Sequence, residues 1–191
     1  GIDSAVLFRG ITTDQVDAEF VWRSPDGSEV LCVKMPDNNA YSNWFYRLRE
    51  SLRFPEKPVD PDEAAEQVSN LVQDCISERP TTSQLLFMDG CDHVFPQFKT
   101  PEIIRIANER VDDLEVRHST LPEFVGAVRN ENPELQTVTG ELRWSNRDWK
   151  LQALLTNVLS SRIHLKQMNH ECETLLEKYV EPLCSWVWAL G

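Results

Sequence analysis

The chain has 191 residues, 41% hydrophobic and 26% charged, the composition of a soluble globular protein with room for one domain or one domain and part of another. Its 19 Lys and Arg against 31 Asp and Glu leave a formal charge of -12, which repels phosphate backbones and anionic membranes and leaves a neutral or cationic small ligand as the better fit. The five cysteines, Cys32, Cys75, Cys91, Cys172 and Cys184, are scattered without a CxxC spacing, so neither a disulfide framework nor a zinc knuckle is expected and a reducing, cytoplasmic setting is.

In chain order, "AVLFR" at residues 5–9 is a short apolar run closed by Gly10, the pattern of a strand buried on both faces. Two β-rich runs then flank Ser24-Pro25-Asp26-Gly27, a hairpin signal because Pro presets φ and Gly accepts φ > 0. From Pro61, with Asp60 or Asp62 as cap, Ala64, Val68, Leu71, Val72, Cys75 and Ile76 recur at helical spacing until Pro80. "QLLFMDG" at 84–90 reads as a strand. Thr100-Pro101-Glu102 opens a helix with Thr100 at the N-cap. "LEVRHST" at 114–120 reads as another strand and "LPEFVGAVRNE" as a short helix. This alternation predicts βαβ units and a parallel sheet or barrel.

The last third differs. Leu165, Met168, Cys172, Leu175, Tyr179, Leu183 and Trp186 repeat every three or four residues, so one face of a long helix is apolar and is expected to pack on other helices, with Pro182 bending or ending it. Residues 1–145 therefore form an α/β domain and residues 146–191 begin a helical one. No window reaches the roughly 18 apolar residues of a membrane span, and the N-terminus lacks signal-peptide order. It also lacks an initiator Met, which suggests a chain cut from something longer.

In a parallel α/β sheet ligands bind beyond the carboxyl ends of the strands. The residues in that place are Arg9, then Asp92 and His93, then His118. Asp92 alone reads equally well as a turn or cap carboxylate, and a lone histidine near a strand end is more often structural than a ligand. Arg9 requires an anionic partner or a polar cavity, and Asp3 is one candidate. Trp22, Trp44, Trp144 and Trp149 suit either sugar stacking or a core. Nucleotide-binding, nucleophile-elbow, HExxH and CxxC motifs are absent from the sequence.

Several stretches together resemble glycoside hydrolase family 38, the α-mannosidases, in particular its bacterial-type members. "GIDSAVLFRG" is similar to the segment after the family's nucleophile, "AEFVWRSPDGSEVL" to its Trp-Arg, Pro-Asp-Gly hairpin, and "LLFMDGCDH" to the strand carrying its catalytic acid. "GELR" at 140–143 and "LSSRIHLKQMNHECETLLEKYVEPL" at 159–183 resemble the crossing into its helical middle domain.

What the resemblance implies is part of a seven-stranded β/α barrel followed by the start of a three-helix bundle. The activity implied is that of a zinc-dependent retaining hydrolase acting on α-mannosides or mannose-containing oligosaccharides. By position Asp92 matches the general acid/base, Arg9 an active-site arginine that orients the nucleophile, and Tyr41, in "NNAYSN", a substrate-contacting tyrosine. An acid in that role must keep its proton near neutral pH, which burial or neighbouring negative charge achieves. The family's nucleophile and zinc ligands match no position here, so the resemblance implies an internal fragment with no metal ligands of its own. Two other readings stand beside it: a noncatalytic α/β carbohydrate-binding module using Arg9, Asp92 and the tryptophans, and a metal-dependent deacetylase or hydrolase using Asp92, His93 and His118.

Overall fold

The computed structural model describes residues 1–50, 58–143 and 161–191. It divides into two units, Gly1–Leu154 and Leu155–Gly191. The expected domain boundary at 145/146, with Trp144 and Trp149, lies outside the described residues.

In the first unit the described residues form a mixed four-stranded sheet of order β1-β3-β2-β4, with β1 Ser4–Leu7, β2 Glu19–Arg23, β3 Glu29–Lys34 and β4 Gln136–Thr139. The hairpin is as the sequence predicts: β2 and β3 are antiparallel, and Gly27 sits at φ 86. The Asp26 carboxyl accepts from Ser24 and from the Ser28 amide, which hold its pKa down to about 2. β1 and β4 pair parallel to β3 and β2 respectively. β1 is an edge strand and only half-buried, where a strand covered on both faces was expected. β4 has no counterpart in the sequence reading: three of the four residues of "QTVT" are exposed, and the strand joins β2 by backbone pairing while half-buried Val138 packs against the cluster of Ile11, Val16, Phe20 and Cys32.

Helix α1, Pro61–Ser77, starts where expected, with the Asp60 carboxylate accepting from the Asp62 and Glu63 amides. Ala64, Val68, Leu71 and Cys75 are its buried stripe. They pack with Trp44, Leu48 and with Ile103, Ile106 and Ala107 of α2, Thr100–Arg110. Helix α3, Leu121–Asn130, carries a full capping box between Thr120 and Glu123, and its Phe124, Val125 and Val128 cover Val33 of the sheet.

The strands expected at 84–90 and 114–120 are not formed. In each stretch an asparagine side chain takes backbone groups that a ladder would use. Asn43 donates to the Leu86 carbonyl (3.1 Å) and accepts from the Met88 amide (2.7 Å), and Asn108 both donates to and accepts from Val116 (2.8 and 2.7 Å). An amide side chain carries the same donor and acceptor as a peptide, so it can replace a neighbouring strand.

The sheet is fastened to α1 by a buried ionic network. Lys34 Nζ, fully buried, donates to Glu78 (2.8 Å) and Asp37 (3.1 Å), and Glu78 also accepts from the Asp37 amide and the Thr13 hydroxyl. Nearby, buried Glu19 accepts from the amide and hydroxyl of Thr81. Every charge here is hydrogen-bonded, which is what allows burial at all.

In the second unit α4, Ile163–Leu175, runs into a π-helical turn, Leu176–Val180, and then α5, Glu181–Leu190. The helix continues past Pro182, whose ring and missing amide are met by the widened turn on its N-terminal side. Leu165, Met168, Leu175, Tyr179, Leu183 and Trp186 are all exposed, so among the described residues the apolar face is uncovered. No helix among the described residues is long and apolar enough to cross a membrane.

At Gly10, φ is 97 and an added Cβ would lie 2.2 Å from the Leu142 carbonyl oxygen, whereas at Gly27 the added atom meets open space. Gly10→Ala should cost about 1–3 kcal/mol or more in urea unfolding, and Gly27→Ala only the smaller backbone term. Lys34→Ala, which strands buried Glu78, should cost about 3–5 kcal/mol. Removing Lys99 from its exposed 3.5 Å pair with Glu102 should cost at most about 1 kcal/mol by the same measurement.

Candidate functional site

Arg9, Tyr41 and Asp92 come from three distant places in the sequence and meet in one. Gly10, at φ 97, ends the chain's run after β1 and leaves Arg9 at the strand's exit. Tyr41 lies in a single 3-10 turn, Ala40–Ser42, entered through Asn39 and Ala40 at positive φ. Its phenol donates to Asp92 Oδ1 at 3.3 Å. The Tyr41 ring packs edge-on against Phe8 with centroids 5.7 Å apart, and the Arg9 guanidinium sits 5.0 Å from the centre of that same Phe8 ring. The Asp92 charge, then loss of hydration and the hydrogen bond, push the Tyr41 phenol above its usual pKa, while Arg9 pulls the other way. Both Arg9 and Asp92 are exposed.

Asp92 is presented by a segment held from beneath. The Asn43 carboxamide and the Trp44 amide, which donates to the Met88 carbonyl at 3.1 Å, grip residues 86–88. One step on, Asp89 accepts from buried Arg49 (3.0 Å) and from the Thr100 hydroxyl (3.2 Å), and Arg49 also donates to the Phe95 carbonyl. The loop carrying Asp92 is thus pinned on both sides. The sequence reading makes Thr100 an N-cap; instead Thr100 is the first helical residue, Lys99 caps without a side-chain bond, and the Thr100 hydroxyl goes to Asp89.

Other candidates lie elsewhere. His93, at φ 65, is in the turn after Asp92. His118 borders a separate groove of about 720 Å³ between residues 83–89 and 113–121, which Asp92 and His93 do not line. No group of three or more His, Cys, Asp or Glu that could hold a metal ion occurs among the described residues. Asp3 pairs with Arg129 at 3.2 Å. Trp44 is core, and half-buried Trp22 donates its indole N–H to the Gly140 carbonyl at 2.8 Å, which removes both from the pool of free sugar-stacking platforms. Sequence reasoning missed Phe8, Asn43 and Arg49. The signal for the last two was available: an asparagine and an arginine within an apolar run, "NWFYRLR", need partners if that run is buried.

No family model matches the chain. Over 199 aligned residues it is 36% identical to a protein of Halalkalibacterium halodurans provisionally named mannosylglycerate hydrolase, an alignment that takes in 96% of this chain and 20% of that protein. Its fold is similar to the crystal structure of an alpha-mannosidase from Enterococcus faecalis, with a TM-score of 0.59 and 30% identity over 72% of this chain and 15% of the other. The chain spans about a fifth of the length of the curated relative it matches.

Asn43→Ala removes at once the partners of the Leu86 carbonyl and the Met88 amide. The variant should lose about 2–4 kcal/mol, and the Met88 amide should exchange with solvent faster than the amides of α1 in a hydrogen-exchange measurement.

Proposed function

We propose that this chain is part of the catalytic region of a retaining α-mannosidase of glycoside hydrolase family 38, acting on terminal α-mannosides, with Asp92 as general acid/base. The observation that carries the reading is the convergence of Arg9, Tyr41 and Asp92 through Phe8. The names of the two similar proteins support an α-mannosyl compound as the substrate class.

Retention of configuration uses two carboxyls about 5–5.5 Å apart. In this reading the chain supplies one of them. Asp92 gives a proton to the glycosidic oxygen as the bond breaks, then takes one from the water that attacks the glycosyl intermediate. Its exposure on this chain leaves it open to a substrate, and the pinned backbone at Asp89 and Phe95 fixes where the proton is delivered. Arg9 offers a guanidinium whose planar fork suits the partner carboxylate. The nucleophile, the remaining barrel strands and the other helices of the bundle come from sequence outside this chain. The described residues do not form a zinc site. In this reading the zinc ligands also come from sequence outside this chain. A cytoplasmic location is part of the reading, supported by five free cysteines.

In the protein carrying the flanking sequence, Asp92→Asn should lower turnover of substrates with poor leaving groups by about 10²- to 10⁴-fold. Substrates with good leaving groups should keep their first step and accumulate an intermediate that azide releases. The control is exposed Asp112→Asn, which should be silent. Equal loss for both leaving groups without azide rescue would show that Asp92 is a turn residue. The 191-residue chain alone should not hydrolyse an aryl α-mannoside.

A further inference from the structure

We infer that Tyr41 is a positioning residue for Asp92: its phenol fixes which oxygen of the carboxyl carries the catalytic proton. The inference rests on the reading of Asp92 as the acid/base, but its central contact is open to a test that needs no activity.

A carboxyl that delivers a proton has two oxygens, and only one can bear it. An ionised carboxylate accepts at both, whereas the protonated form keeps one carbonyl-like oxygen and one O–H. Tyr41 donates to Oδ1 at 3.3 Å. A donor seated on Oδ1 favours that oxygen as the carbonyl, so the proton resides on Oδ2. It also opposes rotation of the group, which has a soft terminal torsion and is exposed, with nothing else in the described contacts to fix it.

The phenol is itself held. Phe8 packs edge-on against its ring, Arg9 covers Phe8, and the 3-10 turn that carries it is joined through Asn43 to the segment leading to Asp92. The charged and titratable groups around the pair are Arg9 at the exit of β1, Cys91 and His93 beside Asp92, and Tyr46, whose hydroxyl lies 4.0 Å from Cys91 Sγ. The phenol's raised pKa, caused first by the Asp92 charge, agrees with a neutral donor facing a carboxylate. A substrate-contacting role alone would not require this bond.

Two measurements test it. In the 191-residue chain the phenol titration is followed by ultraviolet absorbance, with Tyr41→Phe subtracted to isolate Tyr41 from Tyr46 and Tyr179. Asp92→Asn should move the Tyr41 midpoint down, because the charge that opposes phenolate is gone; an unmoved midpoint overturns the contact. In the protein carrying the flanking sequence, Tyr41→Phe keeps the ring on Phe8 and loses only the hydroxyl. It should lower kcat about tenfold on a poor leaving group, leave a good leaving group within about twofold, and keep KM. A rise in KM of the same size for both leaving groups would make Tyr41 a substrate contact and overturn the inference. Should Asp92→Asn itself prove blind to the leaving group, the acid/base reading fails and the positioning role falls with it, whatever the titration shows of the contact.

Discussion

The carboxamide of Asn43 is the contact on which the rest of the candidate site depends. It accepts from the Met88 and Trp44 amides and donates to the Leu86 carbonyl, all from a residue only 3% exposed. In doing so it joins the turn that bears Tyr41 to the segment that delivers Asp92. Left unmade, these bonds would leave several polar groups in a core of Trp44, Leu48 and Phe87, where each lost partner costs about 1–3 kcal/mol. That cost holds the register between the two segments, which brings Tyr41 within 3.3 Å of the Asp92 carboxylate.

Around that joint, charge is used in two different ways. The Lys34, Asp37 and Glu78 cluster is buried and bonded at every turn, so it specifies how the end of β3 meets the end of α1. Arg9 and Asp92 are exposed at the surface, Arg9 beside the Phe8 ring and Asp92 accepting from Tyr41. Between the two, Arg49 is a buried cation spent on a loop: it ties Asp89 and the Phe95 carbonyl to the core helix face and is covered by the Phe45 ring at 5.3 Å.

The helical unit shows the opposite economy. Its hydrophobic residues are exposed along nearly the whole length from Ile163 to Leu190. An isolated helix gains little from its own propensity and derives stability from packing of its apolar face. The face read from the sequence is present at the expected positions.

Local signals were legible from the sequence alone. The hairpin at Pro25–Gly27, the Asp60 cap, the stripe of α1 and the helix after Thr120 depend on residues a few positions apart, and their φ preferences and hydrogen bonds are settled within one turn. Arg9, Tyr41 and Asp92 were also found there, by resemblance. Tertiary structure alone decided the rest. "LLFMD" and "LEVR" read as strands because apolar alternation reports burial, but whether a buried run becomes a strand depends on what satisfies its backbone, and Asn43 and Asn108 did so from elsewhere in the chain. "QTVT", short and mostly exposed, was not read as a strand and became β4 where it pairs with β2 and Val138 meets the core of the sheet. Phe8 lies beside Tyr41 only after β1 and the 39–43 turn are folded together. Sequence fixes what each residue can do within its own turn; which distant donor meets which acceptor is set by packing, because that choice belongs to the whole chain at once.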